Sequence, residues 1–195
     1  MSQNSPIVSL PPAIERFANV LRLAGWIGFV SQLTLAIISS VILLVAVIFG
    51  TTRGSGANNP GTGGGLFFAV CGLLLLYASV YQAFRYIRLS RQLRSPTPSL
   101  RPSKSYTVSI LRLGLMFSLV GMALTIIAGS AITGTLVAKS LTQPRTFFDP
   151  ATNLRGFIEP LDLFVVQANT NTILAHFMGI AGVLWLLYYI NKPSS

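Results

Sequence analysis

The sequence predicts an all-α fold, a polytopic membrane helical bundle with four transmembrane helices. Hydrophobic residues make up 52% of the 195-residue chain and charged residues only 9%, whereas a typical soluble domain contains about 25% charged residues. Four uncharged stretches each reach the roughly 20 apolar residues that are needed to cross the hydrocarbon core. These stretches are continuously apolar rather than alternating, which favours helices over barrel strands.

The boundaries of the four spans follow from the charges, glycines and prolines that interrupt the apolar runs. We place the spans near residues 24–50, 66–86, 112–138 and 165–190, inside a membrane domain of residues 23–192. Residues 1–22 form an N-terminal segment, in which apolar residues at helical spacing predict an interfacial helix; these residues are Ile14, Phe17, Ala18 and Leu21.

A short internal similarity indicates how the spans pair. Val20–Ala24 resembles Ile110–Gly114, and each segment contains an arginine followed by the start of a span. This similarity predicts two parallel helical hairpins, one formed by the first two spans and one by the last two.

The distribution of charge predicts the orientation. The chain has 14 Lys+Arg against 4 Asp+Glu, a balance that would suggest nucleic acid in a soluble protein but marks cytoplasmic loops in a membrane protein. Most of these cations lie in the N-terminal segment, the 85–112 loop and the C-terminus, whereas Arg53, Lys139, Arg145 and Arg155 lie on the other side. We therefore expect both termini inside and no nucleic-acid partner. A row of loop arginines is a candidate contact for lipid or a partner protein: Arg85, Arg88, Arg91 and Arg94.

The sequence offers no catalytic residues, and we expect no enzyme. A single cysteine and a single histidine exclude a cysteine zinc site and a histidine-rich metal site within one chain. Apart from Arg85 and Arg112 at their ends, the predicted spans contain no Asp, Glu, Lys or Arg, although ion pathways usually place an ionisable group inside the membrane.

A polar seam is predicted in the fourth span. Asn169, Thr172 and His176 are three and four residues apart, so they share one helical face, and Gln32 is a candidate partner across the bundle. We interpret the seam as structural, with His176 as the one weak candidate metal ligand. No cofactor is expected; iron and chlorophyll are the alternatives, since one imidazole can ligate either.

Small residues predict close helix packing, within the bundle or against another subunit or a second copy of the chain. The candidates are Gly28 in the first span, Gly121 and Gly129 in the third, and Gly179 in the fourth.

Three stretches carry a resemblance to a known family: Phe17–Ser31, Leu111–Lys139 and Leu163–Phe177. Together they resemble the cyanobacterial and plastid four-span family that includes the chloroplast inner-envelope translocon component, also described as a chloroplast iron permease. The resemblance implies a subunit for protein translocation or membrane-complex assembly; the alternatives are an iron permease and a pigment-related accessory subunit of a photosynthetic complex. It also implies a cyanobacterial plasma or thylakoid membrane, or a plastid inner envelope, and the absence of a transit peptide favours a cyanobacterium or a mature chain.

Overall fold

The structure, a computed structural model, describes residues 11–52, 60–142 and 160–191. These ranges contain four long helices, and no strand occurs within them. The helices are α1 (Pro12–Thr52), α2 (Pro60–Leu93), α3 (Lys104–Thr142) and α4 (Pro160–Asn191), with one turn of 3₁₀ helix at Pro98–Leu100. Each long helix contains a stretch that is long and apolar enough to cross a membrane. The predicted all-α bundle of four spans is confirmed.

The four helices form a closed ring in which each packs on its neighbour in the chain and α4 packs back on α1. Neighbours are antiparallel: Ser90 of α2 bonds to Ala18 of α1, whereas Ser40 of α1 bonds to Tyr77 of α2. Across the diagonals, α2 and α4 make the closer approach. The start of α1, the end of α2, the start of α3 and the end of α4 therefore meet at one end of the bundle, which we call the arginine-rich end.

The helices run beyond the predicted spans at both ends. The apolar residues of the N-terminal segment, which we expected to form an interfacial helix, lie in the first turns of α1, and Phe17, Ala18 and Leu21 are buried there. The second helix continues to Leu93, just before the prolines that cannot extend it. The 85–112 loop is described throughout, whereas the other two connectors fall largely outside the described residues, as do Arg53, Arg145 and Arg155.

The bundle buries polar side chains in its interior and exposes many large apolar ones on its surface. An apolar cluster closes the arginine-rich end, where Leu21, Leu89, Leu111 and Leu186 pack together. Farther along the axis many of the buried positions are small or polar, while large apolar side chains such as Leu44 and Leu74 point outward and are more than half exposed. An apolar outer surface is what a bundle solvated by lipid requires, because that surface meets hydrocarbon.

Candidate functional site: the buried polar seam

A column of polar side chains runs along the inside of the bundle, and we call it the polar seam. All eight members are at most 4% exposed. They are Gln32, Ser39, Ser79, Ser118, Thr125, Asn169, Thr172 and His176. The four residues predicted from the sequence are thus all buried, and four further residues join them.

The layer of the polar seam nearest the arginine-rich end links all four helices. Gln32 of α1 donates from Nε2 to the carbonyl of Ala175 on α4 at 3.2 Å. Ser79 of α2 donates to Gln32 Oε1 at 3.3 Å and lies 2.8 Å from Ser118 Oγ on α3. Since Ser79 has one hydroxyl hydrogen, its bond to Gln32 leaves Ser118 as the donor in the serine pair.

The middle layer of the polar seam consists of His176, which is fully buried. Its Nε2 lies 3.1 Å from the carbonyl oxygen of Gly72 on α2, and a carbonyl can only accept, so Nε2 carries the hydrogen. The other ring nitrogen, Nδ1, has no hydrogen-bond partner among the described residues. Gln32, the candidate partner across the bundle, bonds to the backbone of α4 instead of to this imidazole.

The third layer of the polar seam ties α4 to both of its neighbours. Asn169 donates from Nδ2 to the carbonyl of Thr125 on α3 at 3.0 Å. On the other side, Ser39 of α1 donates to the carbonyl of Ala168 at 2.9 Å, and Thr172 donates to the same carbonyl within α4. The acceptors in this layer are backbone carbonyls, so the contacts depend on how the helices are placed along one another.

Glycines on the facing helices make room for the polar side chains. A Cβ built on Gly121 would overlap the His176 ring, and one built on Gly129 would lie 2.7 Å from Asn169 Nδ2. A Cβ built on Gly179 would overlap the amide of Gln32 and lie 2.8 Å from Ser118 Oγ. Three of the four glycines singled out from the sequence therefore lie directly against members of the polar seam.

The fourth glycine differs from the other three. A Cβ on Gly28 would meet only the Cβ of Ala83, at an ordinary 3.8 Å. Small residues recur at every fourth position of α3 from Gly121 to Thr133, and this ridge changes face along its length: Gly121 and Thr125 are buried, whereas Thr133 is exposed. Four residues turn an α-helix by about 400°, so each step of such a ridge moves about 40° around the axis.

The row of arginines on α2 does not form a single stripe. Arg85 donates to Gln82 on its own helix at 3.3 Å, Arg88 stacks over Phe84, and Arg94 donates to Asn19 of α1. Steps of three residues turn back about 60° each time, so successive arginines spiral around the helix. At the other end of the bundle an ion pair joins α3 to α4, with Lys139 Nζ 3.1 Å from Asp162 Oδ2.

The sequence could have indicated most of the residues that we missed. Ser39 follows Gln32 by seven residues, Ser118 precedes Gly121 by three, and Thr125 follows Gly121 by four, so each shares a helix face with a residue that the sequence had singled out. Within the described residues, no group of three His, Cys, Asp or Glu side chains is placed to hold a metal ion.

Comparison with known proteins places this four-helix arrangement in a family. Residues 11–191 match the profile of a family described as a protein of unknown function, DUF3611. The chain belongs to this family. Protein TIC 21, chloroplastic, from Arabidopsis thaliana is 31% identical over 185 residues, which are 93% of this chain and 60% of that protein. The family resemblance predicted from the sequence is confirmed.

The extent of the match bears on function. The chain spans about 60% of the length of Protein TIC 21, chloroplastic, and no solved structure matches the chain. The family description assigns no catalytic activity. Family and fold together make this DUF3611 member a multi-pass membrane protein of four helices.

Proposed function

We propose that this DUF3611 protein is an integral membrane subunit that acts in protein translocation or in the assembly of a membrane complex. The observation that carries the proposal is the similarity to Protein TIC 21, chloroplastic, which extends over 93% of this chain. Because that similarity extends over nearly the whole chain, the two proteins are expected to share the bundle and its partners. The membrane is then a cyanobacterial plasma or thylakoid membrane, or a plastid inner membrane.

The packing of the bundle supports a subunit rather than a conduit. Amides and hydroxyls of the polar seam bond to carbonyls of neighbouring helices, which fixes the helices against one another. A cavity lined by Gln32, Ser79 and Ser118 has a volume of ≈ 20 Å³, room for about one water molecule. A bundle packed in this way presents its outer surface to its partners.

Partner capture tests the proposal. The tagged chain would be purified from its native membrane in mild detergent, and its companions identified by mass spectrometry alongside metal and pigment analysis. We expect a larger membrane subunit in constant ratio to the chain, absent when an unrelated four-span protein with the same tag is purified. A chain that carries stoichiometric iron and no protein companion would contradict the proposal and favour the permease, and bound chlorophyll would favour the pigment-related role.

The proposed orientation places both termini and the 85–112 loop on the cytoplasmic or stromal side. The support is the excess of arginine at that end of the bundle. Single cysteines at Ser99 and Ser55, in a Cys71→Ser background, should react with an impermeant reagent from opposite sides of the membrane. Ser99 lies in the exposed 3₁₀ turn, and labelling of both positions from one side would contradict the orientation.

A further inference from the structure

An aromatic cluster lines the outer groove between α1 and α2 near the arginine-rich end. Trp26 and Phe29 of α1 meet edge to face at 6.1 Å, and Phe29 lies 6.0 Å from Phe84 of α2. The two helices approach closely behind this cluster, because a Cβ on Gly25 would lie 3.2 Å from a backbone oxygen of α2. Trp26 is nevertheless 45% exposed. The groove therefore has an aromatic floor that faces the membrane.

Arginines surround the end of this groove. The guanidinium carbon of Arg88 lies 4.9 Å above the ring of Phe84, and Arg91 is seven residues beyond Phe84 on the same side of α2. Arg22 lies one turn before Trp26 on the same side of α1. All three arginines are exposed. Stacking occupies the face of the Arg88 guanidinium and leaves its N–H edge able to donate.

The charge around the groove is uncompensated. Within the described residues, none of these three arginines forms an ion pair. The nearest acid on the same side of α1 is Glu15, seven residues before Arg22 and thus about 10 Å farther along the axis. Three guanidinium groups on the same outer side of α1 and α2, with no carboxylate between them, suit a phosphate or another anionic group.

We infer that this groove, which we call the α1–α2 lipid groove, binds one anionic glycerolipid with its headgroup on Arg22, Arg88 and Arg91. The position of the aromatic floor favours a lipid over an acidic protein segment. It continues along the helices into Val30 and Tyr81, which are 52% and 61% exposed and lie deeper in the predicted span. An occupant must therefore join an anionic head to an apolar tail. This inference does not depend on the proposed function.

The two tryptophans of the chain allow a direct test by fluorescence quenching. Trp26 lies in the α1–α2 lipid groove. Trp185 is similarly exposed, at 47%, and lies next to Leu186 of the apolar cluster at the same end. It stands on α4, which carries no lysine or arginine. The full chain would be reconstituted as Trp185→Phe, which retains Trp26, and as Trp26→Phe, which retains Trp185.

Each variant would be quenched by brominated phosphatidylglycerol and by brominated phosphatidylcholine in mixed vesicles. We expect phosphatidylglycerol to be preferred at Trp26 by at least about fivefold, the effect of one arginine near a membrane surface. At Trp185 the preference should be close to one. Equal preferences at the two tryptophans would overturn the inference. So would a Trp26 that neither lipid quenches, since a protein segment would then cover the groove.

A matched pair of double variants separates this groove from general surface charge. Arg88→Gln with Arg91→Gln should lower the preference at Trp26 to the value at Trp185. Lys104→Gln with Arg112→Gln removes the same charge from exposed positions on α3, across the bundle from α1, and should leave the preference at Trp26 unchanged. An equal loss in both pairs would overturn the inference in favour of unspecific attraction. Circular dichroism would confirm that each variant retains its helices.

Discussion

The close packing of the His176 ring against Gly121 of α3 gives the most direct test of the polar seam. Gly121→Ala adds one methyl group at a place where it would overlap the imidazole. The ring must then move, and the contact of its Nε2 with the carbonyl of Gly72 is lost with it. Because packed interiors relax only partly around an added methyl, we expect the substitution to destabilise the bundle.

Three terms determine how much stability Gly121→Ala should lose. Overpacking a well-packed interior costs about 1–3 kcal/mol, and an interhelical hydrogen bond in a membrane contributes about 0.6 kcal/mol on average. Alanine in place of glycine inside a helix returns up to about 1 kcal/mol. With the full 1 kcal/mol returned, the expected net loss is about 0.6–2.6 kcal/mol of the free energy of unfolding.

Gly28→Ala is the matched control. Its new methyl would meet Ala83 Cβ at 3.8 Å, an ordinary contact, so only the helix-propensity term remains and stability should stay equal or rise by up to about 1 kcal/mol. Both variants would be unfolded with SDS in mixed micelles and followed by circular dichroism. If Gly121→Ala is as stable as Gly28→Ala, the imidazole of His176 does not pack against Gly121.

A double-mutant cycle identifies the ring as the cause. His176→Ala alone removes a buried side chain and leaves a cavity, which the methyl of Gly121→Ala would partly fill. The two substitutions together should therefore be less destabilising than the sum of their separate effects. Additive effects would mean that the methyl of Gly121→Ala collides with something other than His176.

Two further predictions concern the seam and its alternatives. Gly129→Leu should lower the melting temperature or disrupt assembly, because its side chain would occupy the place of Asn169 Nδ2. The control Gly134→Leu should do little, because a Cβ there would meet no atom within 4 Å. Equal melting temperatures of the two variants would contradict the packing role of Gly129. His176→Gln should retain assembly and activity better than His176→Leu, because glutamine keeps a donor for the Gly72 carbonyl. Equal loss of a stoichiometric iron or chlorophyll in both variants would instead identify His176 as a ligand.

The sequence predicted the helices and their buried faces, and physical reasons explain why it could not predict their partners. An apolar run between charges specifies a span by length and composition alone, and the spacing of Asn169, Thr172 and His176 specifies a face. The partner of His176 is a backbone carbonyl at Gly72, and every residue has such a carbonyl, so no side-chain pattern marks this one. Ser39 is a similar case, since its acceptor is the carbonyl of Ala168.

For the row of arginines on α2, the sequence predicts the helix but not the direction in which each side chain points. Spacing by three predicts neighbours on one helix, and Arg85, Arg88 and Arg91 do lie on α2. It does not reveal that each step turns about 60°, which directs Arg94 toward Asn19 and leaves Arg85 bonded to Gln82. The α1–α2 lipid groove can be recognised only from the aromatic contacts between α1 and α2, which the sequence does not reveal.

The polar seam resolves a problem that apolar helices face in lipid. Hydrocarbon is as apolar as the helices themselves, so burial of leucine does not select one alignment of helices over another. A donor that meets a carbonyl on the facing helix does select one, because a shift of one residue removes the bond. The closer diagonal of the bundle illustrates this: His176 of α4 bonds to the carbonyl of Gly72 on α2, and a Cβ at Gly72 would lie only 3.1 Å from Thr125 Oγ1 on α3. The alignment is thus fixed from inside, and the outer surface of the helices remains available for lipid and partner subunits.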